Sequence, residues 1–180
     1  MLLLPFLALF TFASALATPN IPPASRRTAI ERSLFGPGAD QTAFLQAHNR
    51  VRVQHGAQNL VWNATLEASA QSWADSCQVK HSDGTLLSSP YGENIVAGTG
   101  QFSISDAVNQ FTLDQGDYDP SNPTYLHFTQ VVWKSTTQLG CAVSQCGSVF
   151  GPGSGLANYY VCIYDPAGNV IGEAPANVQV

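Results

Sequence analysis

Between residue 40 and about residue 134 the apolar positions recur at helical spacing in four separate stretches, and beyond that the period shortens to that of strands. Phe44, Leu45, His48, Val51, Arg52 and His55 fall on one predicted helix, with Asp40 as a cap and Gly56 as a stop. A second helix is predicted over 63–77, where Leu66, Ala70, Trp73, Ala74 and Cys77 line one side. Ser103 opens a third, with Asp106 three residues on in a near capping box. Ile104, Ala107, Val108 and Phe111 form its stripe, and Asp114 lies one turn further along, at the stripe's edge. A short fourth helix covers about 128–134. Residues 139–144 and 158–164 are rich in β-branched and aromatic side chains and read as strands. The Gly-, Ser- and Pro-rich run 146–155 separates them as a loop. Folding the pair antiparallel about Gly151 sets Cys141 opposite Cys162, within reach of a cross-strand disulfide. Asp165-Pro166-Ala167-Gly168-Asn169 is a turn that leads into a predicted last strand at 170–173. Helices first and strands last predict an α+β fold, with helices packed on an antiparallel sheet.

Composition narrows the function. Only 11% of the 180 residues are charged, the net charge is -5, and there is no lysine and arginine cluster in the folded part. Phosphate binding needs such a cluster, so nucleic acid is not an expected partner. Arg26, Arg27 and Arg32 precede the folded part and read as a processing site or a solvated tail. Residues 2–16 are almost wholly apolar, and Ala15-Leu16-Ala17 fits a small-x-small cleavage site. Residues 1–17 therefore read as a signal peptide, 18–39 as a Pro-, Ser- and Gly-rich linker or propeptide-like tail, and 40–180 as one domain. No later stretch has the ~20 apolar residues of a membrane span, so no transmembrane anchor is expected. Four cysteines, an even number, fit oxidation in an extracellular compartment. They allow three pairings that sequence alone does not separate; the strand register favours Cys141–Cys162, which leaves Cys77–Cys146. Asn63-Ala64-Thr65 is a glycosylation sequon, and Asn63 is equally placed to cap the second helix. Asn122-Pro123-Thr124 is excluded by its proline.

Four histidines occur, His48, His55, His81 and His127, none in a local metal-binding spacing. Their longer context is more informative. The runs Leu126-His127-Phe128-Thr129-Gln130-Val131-Val132-Trp133-Lys134-Ser135-Thr136 and Tyr159 to Val170 resemble the two signature motifs of the CAP superfamily, the group of plant PR-1, antigen 5 and cysteine-rich secretory proteins. His48-Asn49-Arg50-Val51-Arg52, Lys80-His81-Ser82 and Gly92-Glu93-Asn94 resemble three further motifs, so the likeness covers about 40–180. It is nearest to fungal secreted PR-1-like proteins. It implies an α-β-α sandwich with a central antiparallel sheet flanked by helices, and the same disulfide pairing. It also implies a cavity lined by His81, Glu93, Asp114 and His127. His81 and His127 would hold a divalent metal, typically zinc, with Glu93 and Asp114 orienting the rings or a bound water. Without metal, the carboxylates would pair with protonated imidazoles. Leu126, Ile163, the pair Phe111-Thr112 and the Asp at 114, where Glu is usual, depart from the family pattern. Asn49 and Arg52 are expected to tie the first helix to nearby backbone, Trp133 and Phe128 to be core, and His48 and His55 to be hydrogen-bonded rather than ligating.

Similar fungal proteins bind and export sterols and fatty acids. The resemblance therefore implies a secreted monomer that takes a small hydrophobic ligand, with residues 115–126 as a capture loop. Tyr118 and Tyr125 belong to that loop, which runs into Phe128. The alternatives are a metal-dependent hydrolase built on the four cavity residues, and a defence or host-interaction protein with a vestigial cavity. No Gly-x-Ser-x-Gly or His-Glu-x-x-His motif supports the hydrolase.

Overall fold

A computed structural model describes residues 38–180, so the predicted signal peptide and almost all of the linker lie outside the described residues. Helix α1 spans Gly38–Gln54, β1 Val61–Trp62, α2 Ala64–Asp75, β2 Gly92–Thr99 and α3 Ile104–Gln110. A 3-10 helix follows at Leu113–Asp117, then α4 at His127–Val132, β3 at Gln138–Gly147, β4 at Leu156–Asp165 and a last turn, α5, at Ala174–Asn177. The strands order as β1-β3-β4-β2. β3 with β4 and β4 with β2 are antiparallel; β1 runs parallel to β3, so the sheet is mixed rather than purely antiparallel.

Alternation along β4 builds the two sides. Tyr160, Cys162 and Tyr164 face a core with Phe44, Phe111, Phe128 and Trp133, supplied by α1, α4 and the end of α3. Tyr159, Val161 and Ile163 face a second core with Leu66, Ala70 and Ala74 of α2. Helices on both faces make the α-β-α sandwich. Ile163, polar in the family pattern, is apolar here and fully buried under α2. α2 approaches so closely that a Cβ on Gly140 of β3 would stand 2.2 Å from the Glu67 backbone nitrogen.

Both disulfides form: Cys141 pairs with Cys162 across the β3–β4 ladder, and Cys77, just past α2, pairs with Cys146 near the end of β3. The Asn63 side chain caps α2, accepting from the amides of Thr65 at 2.8 Å and Leu66 at 3.3 Å. Its Nδ2 donates to Gln138 Oε1 at 2.6 Å. Asn63→Ala is expected to lower unfolding free energy by about 1 kcal/mol, read as a fall in the urea midpoint at unchanged slope. No change would mean that water replaces the cap. The Ser103–Asp106 capping box forms in full.

Four expectations are corrected. α1 begins two residues before Asp40, which lies in its first turn rather than at its cap. Asp114 is not on an extension of the third helix, because α3 ends at Gln110 and Asp114 sits in the 3-10 helix. The predicted strand at 170–173 does not form: Asn169 and Gly172 adopt positive φ, which breaks extension, and the Gly172 amide donates to the Tyr125 hydroxyl. Finally, β2 forms where no strand was predicted. Gly92, Glu93 and Asn94 disfavour strands locally, and pairing with the apolar β4 overrides that preference.

Candidate functional site

The histidines expected to bind metal each stand against their own carboxylate. His81 Nδ1 donates to Glu93 Oε1 at 2.7 Å, and His127 Nδ1 donates to Asp114 Oδ2 at 3.0 Å. A carboxylate oxygen accepts, so a proton sits on Nδ1; in the neutral tautomer that this selects, Nε2 presents its lone pair. The imidazoles are about half exposed, 54% and 47%, whereas the Glu93 and Asp114 side chains are 6% and 23% exposed. Each site thus has a reachable ring backed by a largely covered acid.

The acids are held differently. Glu93 also accepts from the Ser82 amide at 3.0 Å and the Ser82 hydroxyl at 2.5 Å. Since that hydroxyl donates to Glu93, the Tyr91 hydroxyl donates to Ser82 at 2.6 Å and accepts the Leu86 amide at 3.2 Å. Asp114 accepts the first two amides of α4, from His127 and Phe128, each at 3.0 Å. It fills the role that Leu126, with no polar side chain, cannot fill at the start of α4. The shorter acid therefore suffices because its turn lies beside the helix it caps. The roles of Ser82 and Tyr91 in holding Glu93 were not read from the sequence: with no strand legible at Gly92-Glu93-Asn94, nothing local set Tyr91 and Glu93 on one side.

The edge strand β2 relates the two pairs. Glu93 pairs with Ile163, and Asn94 with Cys162, so their side chains belong to opposite faces of the sheet. The Glu93 charge, after burial, raises the Tyr159 hydroxyl to about 12, which agrees with its place on the α2 side. On the other face Asn94 Nδ2 donates to the His127 carbonyl at 3.1 Å and to the Tyr164 hydroxyl at 3.3 Å. Gly92 permits the crossing of β2 and α4, since a Cβ there would stand 1.9 Å from Gln130 Oε1. That oxygen is already engaged by the Gly168 amide at 3.0 Å.

The four residues stand as two hydrogen-bonded pairs, His81 with Glu93 and His127 with Asp114. Among the described residues, the only three donors from histidine, cysteine or acid within 4.8 Å of one another are His48, Cys141 and Cys162. Both cysteines are spent in a disulfide, so no thiolate remains to bind a metal. His48 is itself committed: Nδ1 donates to Phe44 O at 2.8 Å and Nε2 accepts from Tyr164 at 2.9 Å. Burial lowers its pKa to about 4, partly offset by the Phe44 bond and reinforced by Arg52. His55 bonds Gln179 O at 2.7 Å. Asn49 bonds the backbone of Leu60, and Arg52 donates to four carbonyls, as the sequence predicted of a tie between helix and backbone.

Of the aromatic residues assigned to a capture loop, Phe128 lies inside α4 and is fully buried, and Tyr118 is buried in the same core. Tyr125 alone is exposed. Its hydroxyl accepts the Gly172 amide, in the same turn as Val170 and Ile171, the latter 86% exposed.

The chain is 39% identical over 191 residues to "Secreted protein RBT4" of Candida albicans, covering 92% of this chain and 50% of that one. It is 40% identical over 146 residues to "Protein PRY2" of Saccharomyces cerevisiae, covering 77% and 40%. With "Fruiting body protein SC14" of Schizophyllum commune it shares 40% over 150 residues, covering 76% and 67%. It thus spans about half the length, or less, of the first two. Venom allergen-like protein 4 of Schistosoma mansoni has the same fold at a TM-score of 0.59 and 21% identity, covering 73% of this chain and 90% of that one. NaASP2, solved with Zn2+, has a TM-score of 0.58 at 23% identity, covering 75% and 83%. The family model described as "CAP: Cysteine-rich secretory protein family" matches residues 45–164, and the chain belongs to that family.

Proposed function

We propose that this chain is an extracellular binding protein that takes up a divalent cation, zinc in the first instance, through His81 and His127. The observation that carries the reading is the pairing of each Nδ1 with a covered carboxylate. It fixes each ring's tautomer and orientation and leaves Nε2 free to ligate, the arrangement that carboxylates give to metal-bound histidines. The donor set suits the ion: neutral imidazoles are good zinc ligands, and two of them leave positions for water or a ligand's own donor atom. His81 and His127 would hold the ion, which would supply Lewis acidity or an anchoring charge. Glu93 and Asp114 hold the rings from behind. NaASP2, a protein of this fold, has been solved with Zn2+. The disulfides, and the relative named a secreted protein, support an extracellular setting. Calorimetric titration of the purified chain is expected to show one saturable zinc, abolished in the His81→Ala, His127→Ala double variant. Stoichiometric zinc retained by that variant would refute the site.

A second reading rests on Tyr125, Val170 and Ile171, three exposed apolar side chains whose segments are tied by the bond from the Gly172 amide to the Tyr125 hydroxyl. It supports the binding of a small hydrophobic ligand, a sterol or fatty acid, beside the start of α4. Labelled cholesterol and palmitate are the probes. Saturable uptake reduced several-fold by Tyr125→Ser with Ile171→Ser is the expected result. Uptake that is absent, or equal in the variant, removes these side chains from consideration.

A further inference from the structure

We propose that Asn94 is a positioning residue: its side-chain amide, aligned by Tyr164 and His48, sets where His127 stands relative to the strand that carries Glu93. Through it, the separation of the two imidazoles is set.

The direction of every bond in this chain can be worked out. Phe44 O can only accept, so His48 Nδ1 carries the ring proton. His48 Nε2 is then an acceptor, and the Tyr164 hydroxyl must donate to it. The Tyr164 oxygen is left to accept, and it takes one Asn94 N–H; the other Asn94 N–H goes to the His127 carbonyl. Asn94, Tyr164 and His48 are all buried, and the chain leaves no donor among them idle. It runs from α1 through the last part of β4 to β2 and ends on the first residue of α4.

The consequence is geometric. Glu93, the neighbour of Asn94 on β2, bonds the His81 ring, while Asn94 bonds the backbone of His127. No hydrogen bond directly joins the two His–carboxylate pairs. Asp114 fixes the His127 ring to the 3-10 helix, not to β2. Asn94 therefore supplies a polar link between the strand that bears one half-site and the residue that forms the other. An ion shared by two imidazoles is sensitive to their separation, and outer partners of metal ligands commonly change affinity by about 10- to 100-fold.

This deepens the metal reading above, and rests on it for its zinc arm only. The variants are Asn94→Ala and Tyr164→Phe; the second keeps the ring in the core and removes only the hydroxyl that aligns Asn94. Asn63→Ala, a cap far from the site in function, controls for a general loss of stability. In chelator, long-range proton–nitrogen spectra of the imidazoles are expected to show shifted His127 signals and unmoved His81 signals in both site variants. Zinc titration is expected to show about a tenfold weaker affinity for Asn94→Ala, a weakening in the same direction for Tyr164→Phe, and wild-type affinity for Asn63→Ala. Unmoved His127 signals in both site variants would overturn the proposal, as would an equal loss of zinc affinity in Asn63→Ala. A wild-type chain that takes up no zinc overturns the metal reading alone, because the chelator spectra still decide the role of Asn94.

Discussion

Replacing Arg52 with Met is expected to lower the free energy of unfolding by about 3–5 kcal/mol. The Arg52 side chain is fully buried and faces no carboxylate; its partners are all backbone. Nε donates to Gln58 O at 2.8 Å, Nη1 to Val131 O at 2.8 Å and Trp133 O at 2.9 Å, and Nη2 to Thr136 O at 2.8 Å. Val131 and Trp133 lie at the C-terminal end of α4, where carbonyls lack helical partners and a cation is favoured. Burial lowers the guanidinium to about 10, so it remains charged at neutral pH. Met fills much of the volume but leaves carbonyls in the interior without donors. Lys is expected to recover little, since one ammonium cannot present the planar fork that spans these acceptors. Urea unfolding measures the effect; a loss below about 1 kcal/mol would show that water or relaxation satisfies the carbonyls.

Acidification from pH 6.5 to pH 4 is expected to remove about 3 kcal/mol of stability through His48 alone. The folded-state pKa is about 4, against an ordinary value of 6.5, chiefly because burial disfavours the imidazolium. Between these values the unfolded chain binds a proton at His48 and the folded chain does not. The contribution is therefore fully present above pH 6.5, declines as pH falls below it, and is exhausted below about pH 4. Carboxylates titrate in the lower part of this window, so the measurement is a difference. His48→Gln should reduce the slope of unfolding free energy against pH by up to one proton over pH 4.5–6. Equal slopes would show that His48 titrates normally in the folded chain.

Both predictions concern residues that helical spacing placed correctly. His48 and Arg52 recur with Phe44 and Val51, so the sequence shows that they share α1. It does not show that Arg52 reaches the end of α4 and the turn after it, 79 to 84 residues away, or that His48 meets Tyr164, 116 away. Local periodicity carries no record of such separations. The same division holds at the candidate site. His81, Glu93, Asp114 and His127 were legible as a set only through motifs, while the carrier elements of Glu93 and Asp114 were not. A strand beginning Gly-Glu-Asn has no intrinsic preference to be one, and a 3-10 turn after a helix looks like its continuation when Phe111 and Asp114 keep helical spacing.

What the sequence determined by itself is what short-range physics decides. Ser103 with Asp106 caps a helix, Asn63 caps another, and β-branched and aromatic runs on either side of a Gly-rich loop make a hairpin that aligns Cys141 with Cys162. The tertiary structure alone decided the rest. It put β2 at the sheet edge with an acid on one face and an amide on the other. It also drew Tyr118 into the core and replaced the predicted last strand by a turn held on Tyr125. These outcomes depend on which partner offers a buried surface or an unpaired backbone group, and that partner lies tens of residues away, where no local pattern encodes it.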